Sequence, residues 1–229
     1  DPVTELSEAT GFSTISCNDA TAACAAELAL GDAIRASSAL YIYLGAFIGG
    51  GLVLDGRLHR GAQGNAAGLG SMPMSDLDAA GRPRQLLHHA SPAFLERDLH
   101  DAGADPTAMT DAAAADPVAV RAVEAWNRRA ASALARCVAA AASVIDFETV
   151  VLDGLLDRRW IDALIEETRR ALGELNLSGI SPFSIRAGSI GEQARVLGAA
   201  LLPLQHRFAP DPDLVLRSAA RPSESASAA

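Results

Sequence analysis

Lysine is absent: all 19 basic residues of this 229-residue chain are Arg. A lysine-dependent phosphate loop and a lysine Schiff base are therefore excluded within it. Aromatic residues are scarce, at 4%, although hydrophobic residues reach 49%. A sizeable core is thus available, and it must be built mostly from Ala, Leu, Val and Ile. The three cysteines, Cys17, Cys24 and Cys137, form no CxxC pair. This argues against a disulfide framework or a cysteine-rich zinc knuckle, and buried free thiols in a reducing cytoplasm are expected. No apolar run has the length of a bilayer span and no signal peptide is read at the start, so a cytoplasmic protein without membrane contact is expected. The first residue is Asp, not Met, as expected of a fragment or processed product. Positive charge is also short, with a net charge of −9. Duplex-binding surfaces are usually basic, because phosphate neutralisation supplies most non-specific affinity. DNA is therefore expected as a partner only through a domain outside this chain.

What is present alternates between strand and helix signals. Residues 12–17 read as a short strand, and Asn18-Asp19 then offers an N-cap for a helix from about Ala20 to Ala36. Ala39–Leu44, rich in aromatic and β-branched residues, reads as a strand. Residues 45–51 read as a glycine-rich turn, and Leu52–Leu54 as a second strand. Asp55-Gly56 is a hairpin signal that returns the chain through Arg57–His59. Residues 60–74 have no period and read as a loop. An amphipathic helix is predicted over 84–99, broken near Pro92. Residues 102–115 suit a short helix or a loose connection. Asp116-Pro117 opens the longest predicted helix, which runs to about Val144. A strand at 148–153, a helix at 158–172, a strand at 183–186 and a helix at 190–208 follow. The Ser-, Ala- and Pro-rich segment 217–229 is expected to be a disordered tail. Helices alternating with a mixed sheet mean an α/β domain.

Three stretches share an order and spacing. The first is Asn18-Asp19-Ala20 after a predicted strand. The second runs from Gly45 to Gly70: a glycine-rich hairpin, then Gly61-Ala62-Gln63-Gly64-Asn65-Ala66-Ala67. The third is Gly188-Ser189-Ile190-Gly191-Glu192-Gln193-Ala194 with Leu197-Gly198-Ala199-Ala200. Together they resemble the ROK family (repressor, open reading frame, kinase) over most of residues 15–205. The resemblance implies an actin-like ATPase fold with a ribonuclease-H-like lobe: residues 1–216 would be the C-terminal lobe, with a mixed sheet and flanking helices. It also implies an N-terminal lobe with a phosphate motif, or a helix-turn-helix, upstream. In the family's kinases the Asp of the first element is the catalytic base, which implies that role for Asp19. Sugar binding would fall to Asn18, Asp19 and Asn65, and the amides of Gly49, Gly50 and Gly51 would face a phosphate. Helix capping is the plainer role for Asp19, and a glycine hairpin kept for its backbone shape is the plainer role for the glycines.

Several family positions depart from the pattern. Gly68 and Ser71 stand where the kinases have a sugar-binding Glu and a His that contacts sugar and zinc. A second sugar-binding Glu aligns near Leu87. The zinc cysteines have no counterpart between Ser71 and Leu99, and the adjacent His88 and His89 read as helix-surface residues, so neither zinc nor any other metal ligand is assigned. Ala46 replaces a phosphate-turn Thr whose hydroxyl would donate, and Phe47 replaces a Gly. Asp153-Gly154-Leu155 leaves one glycine where the family has consecutive ones. Three functions are weighed. The first is the sugar-sensing, oligomerising part of a transcriptional regulator that binds a sugar or sugar phosphate without turnover. The second is an ATP- and Mg²⁺-dependent sugar kinase with Asp19 as base. The third is a structural lobe that dimerises and binds nothing. A homo-oligomer is expected in each case.

Overall fold

Six consecutive buried residues, Ala39–Leu44, form β1, hidden on both faces as only a central strand can be. In the computed structural model, which describes residues 1–208, β1 pairs antiparallel with β2 (Ile48–Leu54) and parallel with β6 (Thr149–Gly154). β3 (Arg57–His59) and β7 (Ser184–Ala187) complete a five-stranded mixed sheet in the order β3-β2-β1-β6-β7. Asp55 and Gly56, with φ of 52° and 70°, make the tight turn between β2 and β3.

Strand alternation sends Leu40, Ile42, Leu44, Val150 and Leu152 to one face of the sheet. There they meet α5 (Pro117–Ala142) and α6 (Arg158–Gly173). Asp116 caps α5 by accepting from the amides of Val118 and Ala119 at 2.8 and 2.7 Å, with Pro117 at the first helical position. Tyr41, Tyr43, Val53 and Val151 point to the other face. That face is covered by α2 (Asp19–Leu30), which packs in turn against α7 (Ala194–Phe208). α3 (Leu87–Ala90) and α4 (Pro92–Asp101) lie against α5, and the break between them falls at Ser91, as Pro92 predicts.

Three local expectations are corrected. Residues 12–17 form no strand; Phe12 is 76% exposed, and no strand lies beside this segment to share a ladder. A helix precedes it instead, α1 (Pro2–Thr10), with none of its residues buried. The glycines 49–51 are not a turn but the interior of β2. Residues 73–85 form a hairpin of β4 (Pro73–Leu77) and β5 (Pro83–Gln85). Its turn is closed by Asp78, whose carboxylate accepts from the amides of Ala80 and Arg82 at 2.8 and 2.9 Å. The expected tail at 217–229 lies outside the described residues. Among those described, no helix is long and apolar enough to cross a membrane.

Candidate functional site

The triglycine of β2 sets the spacing of the site. A Cβ added at Gly49 would lie 2.7 Å from Ala20 Cβ, and one at Gly51 would lie 2.3 Å from Cys24 Cβ. On the opposite face, a Cβ at Gly50 would lie 2.8 Å from the carbonyl oxygen of Ala67. β2 therefore draws α2 onto one face and the 61–68 loop onto the other, at backbone distance. That loop turns through Gly61 and Gly64, with φ of 76° and 71°, and carries Ala67 at φ 55°, a conformation that disfavours a side chain.

This packing brings Asn18 and Asn65 together, with the side-chain Nδ2 of Asn18 donating to Asn65 Oδ1 at 3.4 Å. Asn18 is also the helix cap: its Oδ1 accepts from the amides of Ala20 and Thr21 at 3.0 and 3.3 Å. Asp19 holds the first helical position, and its side chain is 64% exposed. One carboxylate oxygen accepts from the amide of Ala20 at 2.9 Å; the other lies 3.5 Å from Nη1 of Arg195, at the start of α7. The cluster thus presents two carboxamides, a carboxylate and a guanidinium, a donor and acceptor set suited to sugar hydroxyls. Gly68 and Ser71 add no carboxylate or imidazole to it, and Leu87 contributes an alkyl group.

At the other end of the candidate site, the hairpin turn before β2 offers no side-chain donor at Ala46. Phe47 stands there 62% exposed. Of the proposed phosphate-facing glycines, Gly49 and Gly51 are accounted for by α2 and Gly50 by the loop, so helix and loop packing alone requires all three.

Two buried carboxylates missed by sequence reasoning shape the closing turn. Glu27 of α2, 0% exposed, accepts from the amides of Ala33 and Ser189 at 2.9 Å, from Ser189 Oγ at 2.8 Å and from the amide of Ile190 at 3.3 Å. Asp153, at the end of β6, accepts from Tyr41 OH at 2.8 Å, from its neighbour Gly154 N at 2.9 Å and from Gly191 N at 3.2 Å. Burial pushes the Asp153 carboxyl above its ordinary range, against the opposing pull of those hydrogen bonds. Gly188 must be glycine, since a Cβ there would fall 2.3 Å from Asp153 Cγ. The only sequence signal for Asp153 is its presence where consecutive glycines are expected. Beyond the ends of β6 and β7 lies a crevice of about 320 Å³ lined by Asp153, Gly154, Arg158, Gly188, Gly191 and Glu192, among others. Arg158 is already engaged, by Asp162 at 2.8 Å and the carbonyl of Gly188 at 3.2 Å.

His88 and His89 are not simple surface residues, because the unforeseen β4–β5 hairpin lies beside α3. His89 Nε2 sits 3.0 Å from Asp76 Oδ1, and burial lowers its pKa. The His88 ring meets Phe94 at 5.6 Å. No group of three or more His, Cys, Asp or Glu placed to hold a metal occurs among the described residues.

Known proteins resemble the chain throughout this region. The bifunctional enzyme NanE/NanK of Brucella melitensis is 33% identical over 187 residues, covering 80% of this chain and 34% of the enzyme. The chain thus spans about a third of that relative's length. The ROK hexokinase of Thermus thermophilus superposes with a TM-score of 0.63 at 31% identity, over 89% of this chain and 70% of the hexokinase. A ROK family transcriptional regulator, a homologue of the Escherichia coli Mlc protein, superposes with a TM-score of 0.65 at 22% identity, over 87% of this chain and 54% of the regulator. The fold is the actin-like ATPase fold of ROK sugar kinases. The ROK family model matches residues 1–206, and with the Asn18-Asp19 element, the glycine-rich hairpin and the closing turn all in their expected order, this chain belongs to the ROK family.

Proposed function

We propose that the chain is the sugar-sensing and oligomerising part of a ROK-type transcriptional regulator. It holds a sugar or sugar phosphate at Asn18, Asp19 and Asn65 without transferring phosphate, and DNA is engaged by a domain outside this chain. The observation that carries this reading is the hairpin turn at 45–47. Phosphoryl transfer relies on donors aimed at the moving phosphate, and here Ala46 has no hydroxyl while Phe47 projects into solvent. Sensing needs only binding, which the Asn18–Asn65–Asp19 cluster supplies.

Kinase chemistry in this family would need ATP and Mg²⁺. The residues present do not fit a polyphosphate: the crevice beyond β6 and β7 is lined by the carboxylates of Asp153 and Glu192, and Arg158 is held by Asp162. A second reading, a sugar kinase with Asp19 as general base, is favoured by one feature: Asp19 keeps an exposed carboxylate beside Asn18. The full-length protein is to be mixed with a panel of hexoses and amino sugars, with ATP and Mg²⁺. ADP release and thermal stability are measured together. A sensor raises its Tm with at least one sugar and releases no ADP. Turnover that Asp19→Asn abolishes would establish the kinase instead, and a Tm indifferent to every sugar would leave a structural lobe.

A further inference from the structure

We propose that Arg195 reads negative charge on the ligand, so that the site takes a phosphorylated sugar in preference to a neutral one. This rests on reading the Asn18–Asp19–Asn65 cluster as a sugar site. The carboxamides of Asn18 and Asn65 and the carboxylate of Asp19 already offer donors and acceptors to neutral hydroxyls, which do not require the formal positive charge that a guanidinium adds. Yet Arg195 is placed at its edge with care. Its Cζ lies 5.6 Å from the centre of the Tyr43 ring, and its Nη1 lies 3.5 Å from Asp19 Oδ2. Tyr43 is itself tied down, its OH donating to the carbonyl of Glu192 at 3.3 Å.

The placement is built from below. Glu27 and Asp153 hold three successive amides, those of Ser189, Ile190 and Gly191, and so fix where α7 begins. Gly198 then seats α7 on α2, where a Cβ would lie 1.7 Å from the carbonyl oxygen of Ala22. Arg195 is thereby delivered to the first residue of α2 across 176 positions of sequence. The pair is a poor account of stability: both partners are substantially exposed, at 40% and 64%, and a single long contact between exposed charges is worth little.

Asp19 is the one carboxylate paired with Arg195 among the described residues, and it engages one of the two terminal nitrogens. A guanidinium has five donors in a planar fork, matched to two oxygens of a phosphate. A phosphate beside the bound sugar would take the bidentate position, while Asp19 accepts from a hydroxyl. No bond is made or broken; the selectivity comes from charge and geometry alone.

The test is isothermal titration of the full-length protein with glucose and N-acetylmannosamine, each compared with its 6-phosphate, and with glucuronate as a carboxylated sugar. The phosphorylated form should bind about tenfold more tightly than the neutral one. Arg195→Gln should bring that ratio close to one, and Arg195→Lys should restore part of it. Circular dichroism of each variant verifies the fold. A ratio unchanged by Arg195→Gln overturns the proposal even if the sugar site is real, as does a neutral sugar binding as tightly as its phosphate. Glucuronate matching the phosphates would overturn the phosphate assignment while keeping Arg195 as a charge reader. If no sugar of either kind binds, the sugar-site reading falls with it. If ADP is released in the kinase assay, the sensing role fails but the affinity ratio still decides the role of Arg195.

Discussion

The two faces of the sheet meet helices of different texture: large side chains cover one, and small residues seated on glycines cover the other. Toward α5 and α6 the contacts are Leu, Ile, Val, Phe and Trp126, several of them fully buried. Toward α2 the sheet's Tyr41, Tyr43, Val53 and Val151 meet the small residues Ala20, Ala23, Cys24 and Ala26; Ala20 and Cys24 sit over Gly49 and Gly51, and Gly198 of α7 sits on the carbonyl of Ala22. Large side chains can repack when one atom group is lost, because neighbours rotate into part of the space. At Gly49, Gly51 and Gly198 the neighbour is a Cβ or a backbone oxygen, which has no rotamer to offer. The α2 face is also the one that carries Asn18, Asp19 and Arg195, so the candidate site depends on these close glycine contacts.

Substitutions on the two faces should therefore fail in opposite ways. Gly198→Val should have the largest effect, above about 3 kcal/mol in urea denaturation, because α7 must leave α2 to make room. Gly173→Ala, in α6, where an added Cβ meets nothing within 4 Å, should be neutral or stabilise by up to about 1 kcal/mol. If both variants lose the same amount, the contrast between the faces is wrong. Leu164→Ala on the side-chain face should cost about 2–5 kcal/mol through a cavity, yet leave sugar binding intact once the protein is folded. Gly51→Ala should cost less, about 1–3 kcal/mol, but should lower sugar affinity in the folded protein by pushing Cys24 and the start of α2 outward.

A smaller effect should come from Asp153. Its folded pKa is raised by burial, so the stabilisation it gives is fully present below its unfolded pKa and is lost as pH rises through the folded value. Asp153→Asn should remove that part of the fall in Tm between acid and neutral pH; an unchanged slope would show that the carboxylate titrates as if exposed. The least energetic contrast is chemical. Burial pushes the Cys137 thiol up to about 12 and the Cys24 thiol higher still, whereas Cys17 is only partly buried. A thiol reagent should label Cys17 in the native protein and reach the other two only after denaturation.

Much of the frame could be read in the linear chain because its signals are local. The aromatic and β-branched run gave β1 at Ala39–Leu44, Asp55-Gly56 gave the hairpin, and Asp116-Pro117 gave the start of α5. The misses have distant causes. Residues 12–17 have strand-like composition, but no neighbouring strand pairs with them. The β4–β5 hairpin uses short, proline-bearing strands without alternation, and a turn made by the side chain of Asp78. Glu27 looked like an ordinary helix residue in an alanine run, because its partners at Ser189 and Ile190 lie 162 and 163 positions away. Asn18, Asp19 and Asn65 were singled out through motif order, but the contact between Asn18 and Asn65, and the approach of Arg195, depend on glycines whose tight packing no local pattern records.

Those glycines carry a lesson for tracing descent. Gly49 and Gly51 are demanded by the seating of α2, and Gly50 by the loop that bears Asn65. Mutation at any of the three would harm folding whether or not the protein ever met a phosphate. A lineage can therefore abandon catalysis and still transmit all three letters, as a fossil of architecture and not of chemistry. Positions 46 and 47, at the exposed tip of the same hairpin, bear no such folding constraint, and it is there that a change of trade would leave its mark.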